Sequence, residues 1–115
     1  MPAVDRETTP SGDYLAARLQ QRARELGLDL SAQVHRYHHR SSFGVQVDWP
    51  RDPSGDGIHC EVAERGDSVI LPEPRPTELR IEQAVTYVVA RVQGSSHGDA
   101  LASAKPRRRW GRPDR

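Results

Sequence analysis

The sequence predicts a two-layer α+β domain, in which two helices flank an antiparallel meander of three or four strands and lie on one sheet face. Three observations carry this expectation. Apolar residues recur at helical spacing near both ends of the central region, they alternate singly between those ends, and clusters of turn-forming residues separate the alternating runs. Of the 115 residues, Ile, Leu, Val and Phe make up 22, and 20 of these fall between Asp13 and Gly94. That is enough for one modest core, so the expected organisation is a disordered tail over 1–11, a folded domain over 12–94, and a linker with a basic tail over 95–115.

The first helix is expected from about 12 to 27. Leu15, Leu19, Ala23 and Leu26 form its apolar stripe and Arg18, Gln21, Arg22 and Glu25 its wet side. Ser11 or Asp13 can cap its start, and Gly27 can take the left-handed conformation that ends it. Beyond Gly27 the period changes to two. Leu28, Leu30, Ala32 and Val34 share one parity, which Arg36 and His38 continue, so either the strand leaves the core there or a bulge turns Tyr37 inward. Phe43, Val45, Val47 and Trp49 alternate with polar residues in the clearest half-buried strand of the chain, and Pro50 stops it.

Residues 51–57 are dense in turn formers. Ile58, Cys60 and Val62 then alternate again, Glu64-Arg65-Gly66-Asp67 reads as a hairpin turn, and Ser68 to Leu71 is a short last strand. Three prolines, Pro72, Pro74 and Pro76, predict a stiff crossing to a second helix over about Thr77 to Gln93, which Gly94 terminates. Its stripe is Ile81, Val85, Val88 and Val92. Gly94 to Asp99, small and polar, reads as a linker.

Composition removes several classes. The longest apolar stretches, Val69 to Leu71 and Tyr87 to Ala90, fall far short of the roughly 20 residues of a membrane-spanning helix. Asp5, Arg6 and Glu7 stand where a secretory leader would be apolar, so a cytoplasmic location and no membrane contact are expected. Cys60 is the sole cysteine, which excludes an intramolecular disulfide and a multi-cysteine zinc module. Basic residues are 16 Arg and one Lys, a bias attributed first to a GC-rich genome.

No constellation points to catalysis or to a cofactor. His35 and His39 face opposite to His38 on a strand, and Cys60 shares the parity of Ile58 and Val62, so one metal shell of ligands at about 2.0–2.3 Å is hard to assemble. Ser41, Ser42 and Ser54 lie in turns without an assigned base, and Ser54-Gly55-Asp56-Gly57 lacks the phosphate-loop pattern. The expectation is therefore a non-enzymatic adaptor or accessory protein that binds another macromolecule, as a monomer or homodimer. Its candidate contact residues are Gln46, Asp48, His59 and Glu61 on the sheet face away from the helices, with the sheet edge as a second place for a partner strand.

The alternative is nucleic-acid binding through the tail. Residues 1–94 carry a net charge of −3 and residues 95–115 one of +4. Lys105, Arg107, Arg108, Arg109 and Arg112 would pair with phosphates while Trp110 stacks on a base.

The order helix, strands, helix resembles the double-stranded RNA-binding domain in topology alone. Where that family has a Gly-Pro-x-His loop and a Lys-rich helix start, this chain reads Arg40-Ser41-Ser42-Phe43 and Thr77-Glu78-Leu79-Arg80, so the assignment is not made. The spread of Leu15/Leu19, Phe43/Val45/Val47, Val69-Ile70-Leu71-Pro72 and the closing Val-rich helix is similar to small actinobacterial proteins of unknown function. That resemblance covers roughly residues 13–94 and implies neither an activity nor a site.

Overall fold

A computed structural model describes residues 10–36, 42–63, 68–72 and 75–105. In chain order the elements are α1 (Pro10–Leu26), β1 (Ser31–Arg36), β2 (Ser42–Asp48), β3 (Ile58–Ala63), β4 (Ser68–Leu71), β5 (Thr77–Arg80), α2 (Ile81–Val92) and α3 (His97–Ala104). The fold is α+β, with one open, wholly antiparallel sheet in the order β1-β2-β3-β4-β5.

Helix α1 starts at Pro10, so Ser11 and Asp13 lie within its first turn rather than capping it from outside. A proline is tolerated there because the first helical N–H groups have no intrahelical partner, and the Asp13 carboxylate sits at the positive end of the dipole. Gly27 ends the helix with φ +69°, and the Leu28 N–H returns to the Ala23 carbonyl at 2.8 Å. Strand β1 pairs with β2 in unbroken register from Ser31↔Asp48 to Arg36↔Phe43. The question of a bulge at Tyr37 falls outside the described residues, as do His38, His39 and the turn Glu64–Asp67.

Register fixes which side chains meet. The cross-strand partners Ala32, Val47 and Ile58 form one inward row, Val34, Val45 and Cys60 the next, and Val62, Val69 and Leu79 continue the face. Leu15 and Leu19 of α1 and Ala84, Val85 and Val88 of α2 close over these rows, with Leu15, Val45, Cys60 and Val88 fully buried. Helix α1 packs on β1, β2, β3 and α2, while α2 packs on β4 and β5.

Two sequence expectations need correction. The sheet has five strands, not three or four, because Thr77–Arg80 is strand β5 and not the first turn of a helix. Thr-Glu-Leu-Arg suits either state by itself. What decides is that this stretch runs antiparallel along β4, so that Leu79 pairs with Val69 and becomes buried while Glu78 and Arg80 stay exposed. Helix α2 then starts at Ile81, where the Gln83 side-chain oxygen accepts the Arg80 N–H at 2.8 Å.

The second correction is that the segment read as a linker forms α3. Gly94, at φ +109°, turns the chain, and the Ser96 hydroxyl accepts the Asp99 N–H at 3.2 Å to start the new helix. Ala100 and Ala104, four residues apart, bury their methyl groups against α2. The folded unit thus extends to Lys105 instead of ending at Gly94.

Candidate functional site

The two helices leave the other face of the sheet without a covering element among the described residues. Gln33, Gln46 and His59 stand in one cross-strand row of that face, His35, Gly44 and Glu61 in the next, and Asp48 lies opposite Ser31 at the end. All four of the predicted contact residues, Gln46, Asp48, His59 and Glu61, therefore share this face. Gln46 is not free to swing, since its amide donates to the Asp56 carbonyl at 2.9 Å and to Asp48 Oδ1 at 3.2 Å.

Gly44 shapes the middle of the face. It is buried although it sits on the open side, and the His35 and His59 rings stand on this face with centroids 6.5 Å apart. Burial lowers the His59 pKa and the neighbouring His35 adds to this, while Glu61 opposes it. Among the described residues no group of three or more His, Cys, Asp or Glu side chains is placed to hold a metal ion. Cys60 points to the opposite side, is fully buried, and has its thiol pushed up to about 12 by desolvation, so it is not poised as a nucleophile.

The turn before β3 closes around the Asp52 carboxylate. Asp52 accepts the N–H groups of Ser54 at 3.0 Å and Gly57 at 2.6 Å, and the Ser54 hydroxyl at 2.9 Å. Burial alone would raise the Asp52 carboxyl, but these donors together outweigh it and hold the group below its ordinary range.

This turn forms one wall of a recess of about 620 Å³ whose other wall is the junction of α2 and α3. Ile58, Leu71, Pro72 and Tyr87 make its apolar lining, and Ser54, Asp56, Arg91 and His97 are the polar residues beside them. Tyr87 is 2% exposed, and its hydroxyl lies 2.8 Å from His97 Nδ1 and 3.0 Å from Arg91 Nη1. A guanidinium only donates, so the Tyr87 oxygen accepts from Arg91, while the hydroxyl and His97 Nδ1 share one proton whose side depends on the imidazole tautomer. Burial first, and then the nearby Arg91 charge, lower the His97 pKa, which agrees with a neutral ring.

Sequence reasoning missed this trio. His97 stands in the small polar run that reads as a linker, and Tyr87 lies off the Ile81, Val85, Val88 and Val92 stripe. A usable signal was present in Ser96-x-x-Asp99, a cap spacing just before a run of small helix formers. Of the alternative set, Lys105 is exposed at the C-terminal end of α3, whereas Arg107, Arg108, Arg109, Trp110 and Arg112 lie outside the described residues.

Comparison of the chain with protein-family models, with curated proteins and with solved structures finds no match. Geometry alone therefore sets the class: an open-faced α+β protein in which both helices that contact the sheet cover the same side. Among the described residues no helix is long and apolar enough to cross a membrane.

Proposed function

We propose that this chain is a non-enzymatic accessory protein, cytoplasmic in location, that binds another protein across the open face of its sheet. The observation carrying this reading is the shared face of Gln46, Asp48, His59 and Glu61, joined there by Gln33 and His35. Their mix of carboxylates, amides and imidazoles, with Glu78 farther along the row, suits a partner surface that supplies Lys or Arg donors. Burial of Cys60 supports the non-enzymatic reading, because it withholds the one thiol. The edge strand β1 is less suited to accept a partner strand, since Gln20 of α1 already donates to its Ala32 carbonyl at 3.0 Å.

A photo-crosslinking residue placed at Gln33 or Gln46 tests the reading in extracts of the native host. A discrete protein adduct is expected from these positions and not from Arg24 on exposed α1, and excess unlabelled protein should compete it away. Equal adducts from Arg24, or none from the face, would refute the assignment.

The second reading, nucleic-acid binding, rests on the net +4 of residues 95–115. It requires salt-sensitive retention on DNA or RNA that disappears in a chain ending at Lys105.

A further inference from the structure

We propose that the recess between the 51–57 turn and the α2–α3 junction is a binding site for a small monocarboxylate with a compact apolar body. The first observation is Arg91. Its side chain is half-buried, Tyr87 holds one of its nitrogens, and neither ion pair seen among the described residues, Arg18–Glu82 and Arg22–Glu25, includes it. A positioned guanidinium on a cavity wall, with donors to spare and no ion pair among the described residues, is complementary to an oxyanion.

The second observation is His97, which also lines the recess: its Nδ1 is engaged by the Tyr87 hydroxyl, so Nε2 is the ring nitrogen left for a ligand. The third concerns the rest of the ligand. Ile58, Leu71 and Pro72 offer apolar contact, and the volume lies within the roughly 300–1,000 Å³ of ordinary small-molecule sites. Asp56 also lines the recess, and its negative charge opposes a dianion such as phosphate more strongly than a monoanion.

Titration of the full-length protein with benzoate, followed by the amide and imidazole signals in ¹H–¹⁵N NMR spectra, tests this. Saturable shifts are expected at Arg91, His97 and the Gly57–His59 segment, with much weaker responses to benzyl alcohol and to inorganic phosphate. Arg91→Gln should weaken benzoate binding at least about tenfold, and Arg91→Lys by less. Shifts confined to residues 105–115, equal response to benzyl alcohol, or unchanged affinity in Arg91→Gln would each overturn the proposal. Should Arg91→Gln fail to fold, the His97 titration midpoint of the unaltered protein decides: bound benzoate must raise it, and an unmoved midpoint refutes the site.

Discussion

Two glycines of one turn show how much a single residue decides. Gly55 and Gly57 both have positive φ, +77° and +71°. A Cβ at Gly55 would meet nothing within 4 Å, whereas at Gly57 it would press on the Val47 carbonyl, the Asp48 carboxylate and the Gln46 amide. Gly55→Ala should therefore cost only the left-handed backbone penalty, about 1 kcal/mol, and Gly57→Ala about 2 kcal/mol or more in chemical denaturation. Equal losses would mean that the turn does not pack on β2 as described. His97 supplies a pH dependence at the same scale. Its pKa is lowered in the fold, so the unfolded chain takes up the proton first as pH falls below the ordinary imidazole value of 6.5. The stability tied to neutral His97 is whole above that value and is lost as pH falls from it through the folded pKa, and His59 acts in the same direction. Around His97 stand Arg91 and Tyr87 from α2, with Asp56 on the far wall of the recess. Stability measured from about pH 7.5 to pH 5.5 should fall, and His97→Gln should flatten the slope; an unchanged slope in that variant would contradict the assignment.

At the level of the element, α3 is short but docked. It buries Ala100 and Ala104 and brings His97 to the Tyr87 hydroxyl, so a chain ending at Gly94 loses two buried methyl contacts and leaves that hydroxyl with Arg91 alone. The expected loss is about 2–3 kcal/mol, or roughly 10–20 °C in Tm, against little change for a chain ending at Lys105. Equal melting temperatures for the two would show that α3 does not dock. A different kind of tie joins α1 to α2. Glu82 accepts Arg18 Nη2 at 2.9 Å, Arg18 Nε at 3.0 Å and the Tyr14 hydroxyl at 3.0 Å, and the hydrogen bond from Arg18 holds its carboxyl below the usual range. The group is largely exposed, so it serves to set the crossing of the helices more than to stabilise them.

For the molecule as a whole, legibility in the sequence followed periodicity. Strands β2 and β3 could be read because Val45 and Val47, then Ile58, Cys60 and Val62, alternate strictly, and the facing of Gln46, Asp48, His59 and Glu61 follows from that alternation. Strand β5 could not, because its one inward residue, Leu79, acquires meaning only from Val69 on the neighbouring strand. The recess was illegible for a similar reason: Asp56, Tyr87 and His97 are brought together by a turn and a helix junction that no local pattern specifies. The strictly sequential strand order has a kinetic side. Each strand finds its mate a few residues away, so loop closures along the ribbon are short and entropically cheap. The longest closures among these bonds bring Arg18 and Tyr14 to Glu82, 64 and 68 residues apart, so the clasp of the N-terminal helix on α2 costs the most chain entropy.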